Sequence, residues 1–289
     1  FEVFRTRFGE EQEHVTQKLV KHSNMDLVKH KWDLHFCEYD LISLLDVLES
    51  HKSSLDYDSV LSIGQGLNMQ SSCFVEISKA VEWGVITEHI HPIYTKKDKA
   101  SFLITSTECC LIDSRSGSDI NESYTLFDRR STRKRPALFI LPRGLGRHYA
   151  CLNKAGAFSD SAVEIYTSRT LTPIDEMRLF IFLNSSIFWM IREILGRKNL
   201  GGGMLKAEAI DIKEIPLYYE FKDNHSIEET FLHLASRHVL PTLKEIQTDE
   251  HKAVDKIVGD FLGFSLSDQI DIQLVLSNMI KRRERKSRL

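Results

Sequence analysis

Two arginines and a histidine that could bind an anion lie on a short glycine-containing segment, Pro142-Arg143-Gly144-Leu145-Gly146-Arg147-His148. Arginine guanidinium groups match phosphate oxygens and the guanine edge in geometry. The apolar runs 137–141 and 149–152 on either side predict two strands, and glycine permits a tight connection between them. The pattern therefore predicts a strand–loop–strand unit that presents Arg143, Arg147 and His148 to DNA. The alternative is a solvated hairpin whose arginines have no specific ligand.

A second cationic run comes immediately before the first of these strands, in Asp128-Arg129-Arg130-Ser131-Thr132-Arg133-Lys134-Arg135. Charge runs are most often solvated faces. This one precedes the strand that leads to Arg143, so the two cationic segments would lie at opposite ends of one strand. They could follow one DNA backbone if that strand crosses the groove. The run adds further candidate DNA-binding residues, which are Arg129, Arg130, Arg133, Lys134 and Arg135.

Amide side chains cluster in the turn after another apolar run, in Val60-Leu61-Ser62-Ile63-Gly64-Gln65-Gly66-Leu67-Asn68-Met69-Gln70. Asn and Gln donate and accept together, so either can read an adenine edge through two hydrogen bonds. A lone Gly-x-Gly is a weak indicator of nucleotide binding, and this turn lacks the third glycine of a dinucleotide fingerprint. Composition alone favours a polar surface turn, and the residue types make Gln65, Asn68 and Gln70 candidates for base-edge contacts.

A glycine-rich segment, Arg197-Lys198-Asn199-Leu200-Gly201-Gly202-Gly203-Met204-Leu205-Lys206, is the third candidate. Three successive glycines permit close approach of the backbone to a ligand, and exposed amides there could meet a phosphate. Arg197, Lys198 and Lys206 bracket the glycines and are added to the predicted DNA-binding residues. A flexible hinge explains the glycines equally well.

The elements that must hold these segments indicate a mixed α+β fold. Apolar runs near residues 60, 75, 103, 138 and 149 predict a twisted, largely antiparallel sheet. Thr172 and Pro173 mark a helix start, and the following helix, at 177–195, is apolar almost all round, so it should be buried against the sheet. From Ser226, predicted as an N-cap, the chain reads as helical, with Gly263 as a break.

Composition excludes several classes of protein. The length of 289 residues predicts about two domains, and a net charge of -3 means that a DNA-binding surface must be a local patch. Five cysteines without CxxC spacing indicate reduced thiols and a cytoplasmic protein. No run is long enough to span a membrane, and no signal peptide opens the chain. Because Phe1 is not methionine and begins within a strand-like pattern, we expect a fragment of a longer chain.

Catalytic signatures are lacking in the sequence. No Pro-Pro pair occurs, so the Asn/Asp-Pro-Pro-aromatic active site of amino-methyltransferases is not present, and there is no phosphate-binding Gly-x-x-x-x-Gly-Lys loop. His89 and His91 with Cys109 or Cys110 match no standard zinc pattern. Asp211, Glu220 and Lys222 are the residue types of a metal-dependent nuclease, but the sequence around them is a poor match to the strands that carry such a site. We therefore predict no catalytic residue and no metal site, and keep the nuclease as the least favoured alternative.

Several motifs occur in a characteristic order, and they are Trp32-Asp33-Leu34, Ile63-Gly64-Gln65-Gly66-Leu67, Leu141-Pro142-Arg143-Gly144, Leu183-Asn184-Ser185-Ser186-Ile187-Phe188-Trp189 and Asn199-Leu200-Gly201-Gly202-Gly203-Met204-Leu205-Lys206. On these motifs the chain resembles the TaqI-like target-recognition domain at the C-terminus of adenine-specific DNA methyltransferases of restriction-modification systems. The resemblance implies that 1–25 is the trailing edge of a catalytic domain or a linker. It implies a DNA target-recognition domain at 26–225 and a helical region at 226–289.

The resemblance also implies a division of labour. A catalytic methyltransferase domain, in cis or in trans, would bind S-adenosylmethionine and methylate adenine at N6, and this fragment, without a cofactor of its own, would hold double-stranded DNA and select the sequence. Arg143 and Arg147 join the amides as candidates for base readout. A restriction endonuclease domain or subunit is a further implied partner. The alternative from another class is an interaction module that docks a catalytic or nuclease subunit and barely touches DNA.

Overall fold

The computed structural model of the protein describes residues 2–4, 17–19, 60–95, 98–116, 125–128, 134–168, 170–197, 205–213, 215, 217 and 221–285. The N-terminal part contributes a strand pair, β1 (Glu2–Phe4) and β2 (Gln17–Leu19), which run antiparallel. Strand β1 falls within the strand-like pattern expected at the start of the sequence. The motif at Trp32 lies outside the described residues.

The central element is a five-stranded sheet in the order β3-β12-β8-β10-β6. Its strands are β3 (Leu61–Gln65), β6 (Leu103–Ile104), β8 (Phe139–Pro142), β10 (Cys151–Asn153) and β12 (Ala162–Thr167). All neighbours are antiparallel except β10 and β6, which run parallel. The predicted largely antiparallel sheet is confirmed, although the strand expected from residue 149 begins at Cys151.

A second, four-stranded sheet has the order β11-β5-β7-β4. Its strands are β4 (Val75–Glu76), β5 (Ile90–Tyr94), β7 (Cys109–Ile112) and β11 (Phe158–Ser159). The prediction that the strand near residue 75 joins the first sheet was therefore wrong. Val75 pairs with Cys110 in a sheet that has apolar clusters of its own, and helix α1 (Ile77–Glu82) follows β4 directly.

The apolar segment after Thr172 forms two helices, α2 (Pro173–Leu183) and α3 (Ser186–Leu195), and both are largely buried. A single helix over 177–195 was predicted, and its burial is confirmed while its continuity is not. The break occurs because Ser185 Oγ accepts a hydrogen bond from the N–H of Phe188 (3.2 Å) and so caps a new helix. Asn184 binds the backbone of Ala150 instead, as acceptor from its N–H (2.9 Å) and as donor to its carbonyl (3.1 Å).

Helices follow to the end of the described chain. They are α4 (Ala209–Lys213), α5 (Asn224–Ala235), α6 (Thr242–Glu245), α7 (Asp249–Leu262) and α8 (Leu266–Arg285). Asp223, not the predicted Ser226, caps α5, because its carboxylate accepts from the N–H of Ser226 (3.2 Å). Gly263 ends α7 with a left-handed φ of 74°, as the sequence indicated.

One hydrophobic core joins the five-stranded sheet to these C-terminal helices. The ring of Phe180 on α2 meets the ring of Phe231 on α5 edge-to-face, with centroids 5.0 Å apart. Leu152 of the sheet and Ile280 of α8 belong to the same cluster of buried side chains. The core therefore continues across residues 225 and 226, and the predicted domain boundaries remain a prediction.

Candidate nucleic-acid interface

The register of the five-stranded sheet brings two of the predicted segments to the same end. Gln65 at the end of β3 pairs with Val163 of β12, and Val163 pairs with Leu141 near the end of β8. Two strand spacings are roughly 10 Å. The amide turn after Gln65 and the arginine loop after Pro142 therefore leave the sheet side by side. We call this edge, formed by residues 65–70, 159–161 and 143–148, the loop end.

The amide turn is hydrogen-bonded to the start of β12 and to the segment just before it. Gly66 donates to the carbonyl of Ala162 (2.8 Å), and Leu67 donates to the carbonyl of Ser159 (2.8 Å). A Cβ on Gly66 would lie 2.5 Å from Ser159 Oγ and 2.6 Å from its carbonyl oxygen, so only glycine fits there. On this support the side chains of Gln65, Asn68 and Gln70 are exposed.

Ser161 lies in the loop end between the two predicted segments, and sequence reasoning missed it. Its φ of 51° is left-handed, a conformation that costs a non-glycine residue roughly 1–3 kcal/mol. Its N–H donates to the carbonyl of Leu67 (2.8 Å), and neighbouring Asp160 accepts from the N–H of Met69 (3.3 Å). The polar run Ser159-Asp160-Ser161 between two strands was the only available sequence signal.

The arginine loop and the glycine-rich segment, far apart in sequence, meet in a small antiparallel pair. Strand β9 (Gly144–Leu145) pairs with β13 (Leu205–Lys206), and the N–H of Ala207 donates to the carbonyl of Arg143 (3.0 Å). Arg197 forms a backbone bridge to Lys206, with N–O distances of 2.8 and 3.1 Å. Arg143, Arg197 and Lys206, named here the cation cluster, are thereby held together.

The carboxylate of Glu208 lies among the side chains of the cation cluster. Lys206 Nζ is 2.7 Å from its Oε1, and Arg197 Nη2 is 3.1 Å from its Oε2. The hydrogen bond from Lys206 and the charges of Lys206, Arg197 and Arg143 hold the pKa of Glu208 below its usual range, although partial burial opposes this. Among the described residues, the three cations that act on Glu208 outnumber the nearby carboxylates of Glu208 and Asp211.

Lys134 and Arg135, from the basic run, contact the two ends of the β3–β12 pair. Lys134 Nζ donates to the carbonyl of Gly66 (2.8 Å) and to that of Gln65, whereas Arg135 donates to the carbonyl of Thr167. Lys134 therefore reaches the loop end, and Arg135 the opposite end of β12. Arg129, Arg130, Arg133 and Lys198 lie outside the described residues.

Arg147 and His148 bind the C-terminal helical region. Arg147 is exposed, and its Nη1 donates to the carbonyl of Val239 (3.2 Å). His148 is completely buried, with its ring stacked on Trp189 at 5.9 Å. The prediction that His148 contacts DNA was therefore wrong, because its ring is closed off from the surface. Burial also lowers the pKa of His148, although the adjacent Glu193 opposes this.

A buried charge network on α3 contacts the arginine loop at His148 and at Pro142. Glu193 Oε1 accepts from His148 Nε2 (2.8 Å) and from Arg283 Nη2 (2.8 Å). Burial alone would raise the pKa of Glu193, but these two partners lower it to about 2. Buried Arg192 donates to the carbonyl of Pro142 (2.8 Å), and burial lowers its pKa to about 10. Arg192 and Glu193 on an otherwise apolar helix were the available sequence signal.

The residues of the nuclease alternative are placed only in part. Asp211 accepts from the N–H of Glu208 (2.9 Å) in the first turn of α4, Lys222 is exposed, and Glu220 lies outside the described residues. Within the described ranges, no three His, Cys, Asp or Glu side chains are placed to hold a metal ion. None of the described helices is long and apolar enough to cross a membrane.

Comparison with known proteins gives a likeness of fold. No protein-family profile matches the chain, and no curated protein matches it. Among solved structures, the type IIG restriction endonuclease BpuSI is similar, with a TM-score of 0.56 and 11% identity over 84% of this chain. The matching part is 33% of the BpuSI chain, so this chain spans about a third of that protein's length. The chain therefore shares its fold with a portion of a type IIG restriction endonuclease.

Proposed function

We propose that this chain is the DNA sequence-recognition part of a restriction-modification enzyme that methylates adenine at N6. One observation carries the proposal: the sheet register gathers an exposed amide turn and the cation cluster at one end. Amides suit base edges and cations suit phosphates, and a DNA-recognition surface needs both. The fold likeness to a type IIG restriction endonuclease supports this assignment.

The proposed division of labour follows from the chemistry of the two groups. Arg143, Arg197 and Lys206 would provide salt-sensitive, sequence-independent affinity for the backbone. Gln65, Asn68 and Gln70 would read base edges, and each good pair would contribute roughly 1–3 kcal/mol of discrimination. Methyl transfer from S-adenosylmethionine, and any DNA cleavage, would belong to catalytic domains in cis or in trans. A TaqI-like recognition domain, as the sequence motifs imply, is the specific form that we propose.

Duplex binding followed by fluorescence anisotropy at several salt concentrations tests the proposal. Arg143→Ala should weaken binding to all duplexes alike and reduce the slope of log affinity against log salt by about 0.9. Lys154→Ala is the matched control, since Lys154 follows β10 at the other end of the sheet and pairs with Glu176. No binding of any duplex by the wild-type protein at low salt would reject the proposed function.

The docking module is retained as a second candidate because of one feature of α8. Leu266, Ile270 and Leu274 follow each other at four-residue intervals and are 72%, 56% and 56% exposed. Such a stripe on a helix is typical of a contact surface. If docking is the whole function, the double variant Arg143→Ala and Arg147→Ala should leave the DNA affinity of the assembled complex unchanged.

A further inference from the structure

The cation cluster already holds an anion, supplied by its own chain. The Glu208 carboxylate lies 2.7 Å from Lys206 Nζ and 3.1 Å from Arg197 Nη2, and Arg143 is near enough to lower its pKa. The two oxygens of this carboxylate thus contact cations at the two ends of the glycine-rich segment. A phosphodiester also presents two anionic oxygens, and arginine and lysine bind both kinds of anion.

The contacts of Glu208 are of a kind that can be exchanged. The side chain of Arg197 is 56% exposed and that of Lys206 is 33% exposed, so water reaches both cations. Ion pairs of this exposure contribute little to stability, and they compete with solvent and salt. An external anion that contacts all three cations could therefore replace Glu208 without disturbing the hydrophobic core.

We propose that the cation cluster is a binding site for a backbone phosphodiester of duplex DNA, and that Glu208 occupies this site until DNA displaces it. This inference rests on the proposed function and names the ligand of one part of that surface. Glu208 then competes with the phosphate for the three cations. It limits affinity for every DNA sequence alike, because backbone contacts carry no sequence information. Base discrimination would be left to the amide turn.

Glu208→Gln tests the competition, because it removes the charge and nearly preserves the size of the side chain. We expect about two- to fivefold tighter binding of every duplex at low salt, the equivalent of losing one exposed ion pair. The salt slope should become steeper by up to about 0.9, since the negative charge of Glu208 no longer offsets one of the cations that neutralise phosphate. Glu208→Asp, which keeps the charge, should stay close to wild type.

Glu176→Gln is the matched control. Glu176 has the same side-chain exposure as Glu208, 16%, and it pairs with Lys154, which follows the end of β10 distant from the loop end. It changes the net charge equally and should leave DNA affinity and salt slope unchanged. In a Lys206→Met background, the gain from Glu208→Gln should shrink, since neighbouring groups that interact show non-additive effects.

Three outcomes would overturn the inference. One is an unchanged affinity and slope for Glu208→Gln while Arg143→Ala still weakens binding, which leaves DNA recognition standing. Another is an equal gain from Glu176→Gln, which would indicate a general charge effect. The third is a gain for heparin without a gain for DNA. Absence of duplex binding by wild type and all variants would instead reject the proposed function, and this inference with it.

Discussion

Replacing Glu193 by Gln should lower the free energy of unfolding by about 3–5 kcal/mol at neutral pH. The side chain of Glu193 is 0% exposed and that of its partner Arg283 is 7% exposed, so water cannot replace the lost carboxylate. The guanidinium of Arg283 would remain buried beside a neutral amide. The hydrogen bond from His148 to the side-chain oxygen can persist in the variant, so the predicted loss is attributed to removal of the negative charge beside Arg283.

The pKa of Glu193 gives a second measure of the same interaction. His148 and Arg283 lower it from the ordinary 4.5 to about 2, even though burial alone would raise it. A decrease of this size corresponds to about 3 kcal/mol of stability at neutral pH.

The pH dependence has a definite sign. Between pH 4.5 and about 2 the unfolded state of the wild type binds the Glu193 proton more tightly than the folded state, so stability is lost as pH falls. His148, whose pKa is lowered by burial, adds a loss that begins below its ordinary 6.5. The Glu193→Gln variant lacks the first contribution, so its stability should change less than that of the wild type below pH 4.5.

Urea unfolding of both proteins at pH 7 and across the acid range measures these differences. Combining Glu193→Gln with Arg283→Met is the control, because removing both charges should recover much of the stability that the single variant loses. A loss below about 1 kcal/mol at pH 7 would refute the reasoning, since it would mean that Arg283 remains solvated or finds another partner at little cost.

Three further substitutions test other parts of the structure, each by its unfolding midpoint. Asn184→Ala should cost about 1–3 kcal/mol, because the buried N–H and carbonyl of Ala150 lose their partner; a loss near zero would contradict this. Gly66→Ala should destabilise by more than about 1 kcal/mol, because its Cβ meets the Ser159 backbone at 2.6 Å, and should weaken DNA binding. Ser161→Gly should raise the free energy of unfolding by about 1 kcal/mol, because glycine relieves the strain of the positive φ. A lower free energy of unfolding would show that the Ser161 side chain contributes more to stability than the strain costs.

Local patterns were sufficient for much of the architecture. The mixed fold class, the helix start at Thr172 and the end of α7 at Gly263 follow from periodicity and capping chemistry, which act over a few residues. The break between α2 and α3 was missed, although Asn184 and Ser185 are poor helix formers. Their apolar surroundings indicated one buried helix, whereas the hydrogen bonds to Ala150 come from a distant segment.

The sequence by itself determined which segments carry amides and cations, because residue type and glycine content are local properties. Only the tertiary structure decided which of them meet. The strand register places Gln65 and Arg143 at one sheet end, and the β9–β13 pair brings Lys206 to Arg143. Packing against Trp189 removed His148 from the surface. These outcomes depend on long-range pairing and burial, in which each residue's environment is supplied by chain segments far away in sequence.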